Sequence, residues 1–285
     1  MTYDEQLTFL ITNALAEDIG DGDHSTLSTI DAELKGKAVL KVKQDGILAG
    51  MHVAEKIFSQ VEPGIVFEAF KKDGEMMSFG EKAFEVTAKI HTILMCERLV
   101  LNTMQRMSGI ATLTRKYVDK LEGYHTRLLD TRKTTPNFRL LEKEAVRIGG
   151  AINHRIGLYD MIMLKDNHID YCGGIEKAIG KAYDYVKSKG LDLKIEVETR
   201  SLEDVEKVMK TGHIDRIMLD NFTPEKITEA LKLINGKYET EASGGIHYDN
   251  IQSYAATGVD FISSGSIIHQ AVSLDLSLKA VVIDN

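Results

Sequence analysis

Apolar and polar positions along the chain change their rhythm about a third of the way through. Residues 4 to 17 carry apolar side chains at helical spacing, and the stretch "EDIGDGDHST" reads as the loop that follows. "GKAVLKVKQDGILAG" alternates as strands do, and "HVAEKIFSQV" returns to helical spacing for a short helix. "IVFEAFKKDGEMM" predicts a hairpin turning at Asp73-Gly74, and "KAFEVTAKI" predicts a further strand. This opening region is therefore a strand-rich α+β unit.

From Ile93 to Leu121 the pattern is helical, with Gly109 in "MSGIAT" marking a bend or a new start. Beyond it, apolar strands alternate with amphipathic helices that bring their own punctuation. "SLEDVEKVMKTG" offers Ser201 as N-cap, Asp204 in the capping-box position and Gly212 as stop. "TPEKITEALKLING" offers Thr223 as cap, Pro224 at the first helical position and Gly236 as stop. Strand–helix alternation of this kind is an α/β pattern and predicts a parallel sheet or barrel.

The strands of this second region end alike. "RLLD" runs into "TRK", "YDMIML" into "KDNH", "LKIEV" into "ETRS", "RIML" into "DNF", "YETEA" into "SGGI" and "VDFIS" into "SGS". These ends recur at roughly 20 to 35 residues, the length of βα units with an extra short strand such as "AINHR" in the first interval. Carboxyl ends of parallel strands converge on one face of a β/α barrel, where reactive groups sit. Arg132, Lys133, Lys165, Glu198, Asp220 and the two Ser-Gly turns are thus expected around one mouth.

Composition narrows the partners. The chain has 285 residues, 43% of them hydrophobic and 27% charged, an ordinary globular balance with room for one large or two smaller domains. A net charge of -8 disfavours nucleic acid and anionic membrane as partners, yet leaves room for a local cationic pocket. No apolar run reaches the ~18 residues of a membrane span, and the start lacks a basic segment before an apolar core, so no secretory signal is read. Cys96 and Cys172 stand without CxxC spacing and are read as reduced structural thiols of a cytoplasmic protein.

Cations from several strand ends suit a substrate with several negative charges. Arg grips carboxylate or phosphate through paired hydrogen bonds, and Lys supplies a compact charge. "HRIGLYD" adds His154 and Arg155. Glu198 and Asp220 suit Mg²⁺ carried by a diphosphate, or sugar hydroxyls. "SGGI" and "SGS" fall where late barrel strands bind phosphate through backbone N–H groups. The implied pocket takes a polycarboxylate with a phosphorylated sugar. Plainer readings stand beside these: Asp220 as a helix cap, the Gly turns as turns only, and His24, His52, His154 and His247 as structural histidines. The glycines and acids of "EDIGDGDHST" lack the calcium-loop register.

The segments "ERLVLNTMQRMSGIAT", "DTRKTTPNFR", "GGAINHRIGLYD", "KDNH", "IEVE", "LDNF" and "EASGGI", with "EDIGDGDHST" and "GILAG" before them, follow in the order and spacing of the quinolinate phosphoribosyltransferase family. The chain resembles that family over nearly its whole length. The resemblance implies an incomplete β/α barrel of the type II phosphoribosyltransferases with an N-terminal α/β sandwich. On that basis residues 1–108, joined by a tail at 270–285, form the sandwich, and 109–269 form the catalytic barrel. It implies transfer of phosphoribose from phosphoribosyl pyrophosphate to quinolinate with loss of CO₂, dependent on Mg²⁺, in NAD synthesis. It also implies a homodimer, open to further assembly, in which Arg98 reaches the neighbouring subunit's site.

By the same resemblance, Arg98, Thr131, Arg132, His154, Arg155 and Lys165 hold quinolinate. Lys133, Glu198, Asp220, Ser243, Gly244, Gly245, Ser264, Gly265 and Ser266 hold phosphoribosyl pyrophosphate. Lys133, Lys165, Glu198 and Asp220 act in catalysis, and Glu198 and Asp220 hold the metal directly or through substrate or water. One departure is visible: Thr135-Pro136-Asn137 stands where the family usually reads TPG, and Asn tolerates the left-handed backbone next best after Gly. The readings weighed against this one are a phosphoribosyltransferase of the molybdenum-associated type or for a non-decarboxylating acid, a Schiff-base aldolase or decarboxylase using Lys165, and a non-catalytic sensor of sugar phosphates.

Overall fold

The computed structural model describes residues 1–281; residues 282–285, the end of the expected tail, lie outside them. The chain forms two compact units, one from residues 1–115, 134–150 and the segment from Ile268 onward, the other from 116–133 and 151–267.

The chain opens with helices α1 (Tyr3–Ile19) and α2 (His24–Thr29), then β1 (Lys35–Val42), β2 (Gly46–Ile47) and α3 (Met51–Val61). Next come β3 (Val66–Ala69), β4 (Met76–Met77), β5 (Lys82–Lys89) and the long helix α4 (Ile90–Lys120). The alternating region follows as β6 (Arg127–Leu129), α5 (Arg139–Ile148), β7 (Ile162–Leu164), α6 (Asp166–Cys172), α7 (Ile175–Lys189) and β8 (Ile195–Thr199). It continues through α8 (Leu202–Thr211), β9 (Arg216–Asp220), α9 (Pro224–Ile234), β10 (Glu239–Ser243), α10 (Ile251–Ala255), β11 (Phe261–Ser263) and α11 (Ser266–His269), after which β12 (Leu276–Val281) returns to the first unit.

In the first unit a four-stranded antiparallel sheet runs β12-β1-β5-β3. One face is wholly apolar: Ala38, Leu40 and Val42 share it with Phe84, Val86 and Leu278, all buried, while the other face buries Val39 and Ala83 among polar neighbours. Phe84 packs against the rings of Phe58 and Phe67, so α3 covers this face. The expected hairpin at Asp73-Gly74 does not form, because β3 pairs with β5 and β4 pairs with β2. Local chemistry explains the misreading: the Asp73 carboxylate accepts from the Met51 N–H at the start of α3, and the Gly74 N–H donates to the Leu48 carbonyl. The turn is real, but its bonds tie β4 to β2.

Three further expectations change. α4 runs unbroken through Gly109, whose missing side chain has another cause: a Cβ there would lie 2.1 Å from the Val272 carbonyl oxygen. Most of "EDIGDGDHST" is helical, with Asp23 capping α2 through the Thr26 N–H. α9 stops at Asn235 in the left-handed conformation, one residue before Gly236. The Ser201 and Thr223 caps and the Gly212 stop are present as read.

In the second unit all six anticipated strands lie in one parallel sheet, ordered β6-β11-β10-β9-β8-β7. "AINHR" adds a single parallel bridge, Ile152 to Leu129, outside β6. Five inter-strand steps separate that bridge from β8, about 24 Å in a flat sheet at ~4.8 Å per step. Yet His154 lies 3.0 Å from Glu196 of β8, so the sheet curls until its edges approach. The architecture is an α/β fold with an open barrel.

Candidate active site

Register decides what fills the inside of that curl. Glu196 pairs with Arg216, Glu198 with Met218, Glu239 with Arg216, Glu241 with Met218 and Ser243 with Asp220. Paired residues point to the same face, so β8, β9 and β10 turn Glu196, Glu198, Arg216, Asp220, Glu239, Glu241 and Ser243 inward together. Val197, Ile217, Leu219 and Ala242 point the other way and are buried. Arg127 and Arg216 both lie over the Phe261 ring, which places Phe261 and β6 on the same inner face.

The deep layer is an ionic network. Glu196 and Glu241 are both 0% exposed, and His154 Nε2 lies 3.0 and 3.1 Å from their carboxylates. Arg216 donates to Glu241 at 3.2 Å and to Glu239 at 3.1 Å. His154 Nδ1 accepts from the Arg155 N–H at 2.7 Å. Burial works against a charged imidazole, but the two glutamates outweigh it and raise the His154 pKa to about 9. The Arg155 N–H aimed at Nδ1 disfavours a second proton there. The proton is better held by Glu196, whose pKa burial and the neighbouring Glu241 push up to about 7. The donor atoms of His154, Glu196 and Glu241 lie within 4.8 Å of one another, as a metal would need, but Arg216 already balances their charge.

Above this layer sit the strand ends. Asp130, fully buried after β6, accepts from the His154 N–H at 2.8 Å and from the Asn153 side chain at 2.7 Å, and so fixes the segment carrying Arg155. Burial, and after it the charge of Arg132, lower the Arg155 pKa, so the two guanidiniums are near enough to feel each other's charge. Two cations held together in this way attract a multiply charged anion. Thr131 accepts from the Lys133 N–H at 3.1 Å, folding the loop that carries both Arg132 and Lys133.

A second group forms at the ends of β7, β8 and β9. Burial raises the pKa of Glu198, the nearby Asp220 carboxylate raises it further, and Lys165 opposes both. Lys165 is fixed at the start of α6, where its N–H donates to His168 Nδ1 at 3.0 Å. Two close carboxylates present the all-oxygen, net-negative donor set that Mg²⁺ prefers.

The Ser-Gly turns complete the rim. Gly244 has φ 91°, and a Cβ there would lie 2.2 Å from Asn221 Oδ1, so only glycine fits between β9 and β10. Gly245 follows at φ 64°. Ser264 uses its N–H on the Leu129 carbonyl at 3.1 Å and its hydroxyl on the Ile246 carbonyl at 2.9 Å, so it joins the two turns to β6. Gly265 and Ser266 follow it at the start of α11. Arg98 lies in the other unit, exposed on α4.

The strand-end residues of the second unit, from Thr131 round to Ser266, therefore occupy one end of one sheet. Glu196, Glu241 and Arg216 were not anticipated. Their signal lies in "IEVET", "RIMLD" and "ETEAS", where, Met218 apart, alternate positions on one face are polar or ionisable within largely buried strands.

Comparison with known proteins agrees over the full length. The family model described as quinolinate phosphoribosyl transferase, N-terminal domain, matches residues 23–108, and that for the C-terminal domain matches residues 110–279. A chloroplastic nicotinate-nucleotide pyrophosphorylase [carboxylating] of Arabidopsis thaliana is 43% identical over 98% of this chain and 83% of its own length. A probable nicotinate-nucleotide pyrophosphorylase [carboxylating] of Bacillus subtilis is 42% identical over 97% of this chain and 94% of its own. The crystal structure of NadC from Streptococcus pyogenes superposes with a TM-score of 0.92 at 39% identity, covering 100% of this chain and 99% of that one. This chain belongs to the quinolinate phosphoribosyl transferase family.

Proposed function

We propose that the protein transfers the phosphoribosyl group of phosphoribosyl pyrophosphate to quinolinate, releasing pyrophosphate and CO₂ and forming nicotinate mononucleotide for NAD synthesis. The observation that carries this reading is the pairing of a cationic group, Arg132 with Arg155, and an acidic group, Glu198 with Asp220, at one end of one parallel sheet. A pyridine dicarboxylate matches the first and an activated pentose the second. The names of the Arabidopsis and Bacillus relatives support the same reaction.

In this reading Arg132, Arg155 and Lys165 hold the two carboxylates, with Thr131 shaping the loop. His154, turned toward Glu196 and Glu241, places Arg155. The pyridine nitrogen is thereby held at C1 of the ribose, and its attack becomes nearly intramolecular. As the C1–O bond breaks, positive charge builds on the sugar, and Glu198 and Asp220 stabilise it. Lys133 meets the charge on the departing pyrophosphate. The new C1–N bond makes the ring an electron sink, so the 2-carboxylate leaves as CO₂ and C2 takes a proton. Glu198 and Asp220 would hold Mg²⁺, directly or through water, where it supplies charge neutralisation for the diphosphate. The backbone N–H groups of the turns at Gly244-Gly245 and Gly265-Ser266 are offered to the 5′-phosphate, with Ser243 and Ser264 holding those turns.

Arg98, exposed on α4, is proposed to complete the site of a second subunit in a homodimer. Mixing Arg98→Ala with Lys133→Ala subunits then restores part of the activity; mixed dimers without recovery would refute the sharing. Free cysteines and the bacterial relative support a cytoplasmic location, and no helix of the described residues is long and apolar enough to cross a membrane. The decisive experiment is one assay for nicotinate mononucleotide and labelled CO₂ from the two substrates with Mg²⁺. Absence of both products overturns the reading, and nucleotide without CO₂ moves it to a non-decarboxylating acid.

A further inference from the structure

Glu142 of α5 is completely buried, and its carboxylate accepts four hydrogen bonds. Arg106 Nε and Nη2 donate to Oε1 at 3.0 and 2.8 Å. The Thr135 N–H donates to Oε2 at 2.8 Å, and the Thr135 hydroxyl donates to Oε1 at 3.0 Å. The same guanidinium holds another segment, with Nη1 donating to the Ala271 carbonyl at 2.7 Å and Nη2 to the Ile268 carbonyl at 2.9 Å. Every one of these groups belongs to the first unit.

The two held segments are not arbitrary. Thr135 closely follows Arg132 and Lys133 in the chain, and Ile268 closely follows Gly265 and Ser266. Just past Thr135 the chain turns sharply, with the Phe138 N–H on the Thr135 carbonyl at 3.1 Å and Asn137 at φ 62°. An apolar pair of similar volume would pack α4 against α5 at least as well as a buried ion pair. What the ion pair adds is direction, fixed bonds to two loops at once.

We infer that Arg106 and Glu142 are positioning residues that set both substrate-gripping loops. They fasten the exit of the Thr131–Lys133 loop, which carries the carboxylate and pyrophosphate contacts, and the exit of the Ser264–Ser266 turn, which carries the phosphate contact. Neither side chain touches substrate; each acts through the backbone it holds. This inference rests on the phosphoribosyl-transfer reading for its kinetic consequence, though not for the fastening itself.

Glu142→Gln keeps the volume but loses the charge, and Arg106→Lys keeps the charge but loses the geometry. Thr135→Ala removes one bond at an exposed residue, and Thr135→Ser restores it. In folded protein, verified by circular dichroism, Glu142→Gln and Arg106→Lys are expected to lower kcat/KM for both substrates roughly tenfold or more, because small misplacements of gripping groups are costly. Thr135→Ala is expected to lose several-fold in kcat/KM, with Thr135→Ser close to the wild type. Amide hydrogen exchange in residues 131–137 should quicken in Glu142→Gln and Thr135→Ala while the β1–β5 sheet stays protected.

Folded Glu142→Gln with wild-type kinetics and wild-type exchange overturns the inference, as does Thr135→Ala indistinguishable from wild type by both measures. Should Glu142→Gln fail to fold, the Thr135 pair carries the test. Should the wild type make no product, the functional reading fails, and the exchange measurement alone decides whether the loops are fastened in this way.

Discussion

The antiparallel sheet of the first unit and the curled parallel sheet of the second share a period of two and use it in opposite ways. In β1 and β5 one face is apolar and buried, and Lys37 and Glu85 pair outside it. In β8, β9 and β10 the apolar face lies under helices, and the other buried face carries Glu196, Glu198, Arg216, Asp220 and Glu241. Alternation identifies a strand but does not say which face meets water. In a sheet covered on both sides, an ionisable face is buried as well, and its charges are held there by pairing with one another.

The contrast can be broken experimentally. The largest effect is expected from Arg132→Ala: loss of one of two neighbouring guanidiniums should weaken quinolinate binding by roughly 100-fold or more while phosphoribosyl pyrophosphate still binds and Tm holds. Calorimetry that finds both ligands equally weakened would show that the cationic pair is not selective. Next, Glu241→Ala removes the buried carboxylate that Arg216 and His154 share and should cost about 3–5 kcal/mol of stability. Leu40→Ala, in the apolar sheet, should cost about 2–5 kcal/mol by leaving a cavity, with activity per folded molecule retained. If Leu40→Ala instead abolished activity in folded protein, the division of labour between the two sheets would be wrong.

A smaller effect is a slope. The raised pKa of Glu196 means that its contribution to stability is complete below its unfolded value near 4.5 and is lost as pH rises through about 7. Glu196→Gln should therefore flatten the fall in Tm between pH 5 and pH 8 seen in thermal scans of the wild type. An unchanged slope would place the shared proton elsewhere. Smallest is Lys37→Ala, since an ion pair on the outer face of the antiparallel sheet is worth about 0–1 kcal/mol. A loss of several kcal/mol there would deny the contrast from its other side.

The strand ends were legible because each is a local event, an apolar run halted by Asp130, Lys165, Glu198, Asp220 or a Ser-Gly pair. Caps at Ser201 and Thr223 were legible for the same reason, being bonds within a few residues. The hairpin at Asp73-Gly74 was misread because both flanking strands found partners farther along the chain than each other. Gly109 looked like a break because its cause, the Val272 backbone, is remote in sequence. Glu196, Glu241 and Arg216 leave no mark at a strand end; their trace lies only in what alternates along the strands. Arg106 and Glu142 left no local trace at all, since a buried acid on one amphipathic helix and a base on another look like two solvated charges until the helices meet.

The pairing of β12 with β1 has a consequence for how the molecule is made. During synthesis the first strand leaves the ribosome early and β5 soon covers one of its edges, but the other edge waits until Leu276–Val281 has been translated. For most of that interval the nascent sheet offers a bare row of amides and carbonyls to any passing β-strand, the exposure that invites misassembly between chains. Nascent molecules stalled before β12 should accordingly be the ones that chaperones hold longest.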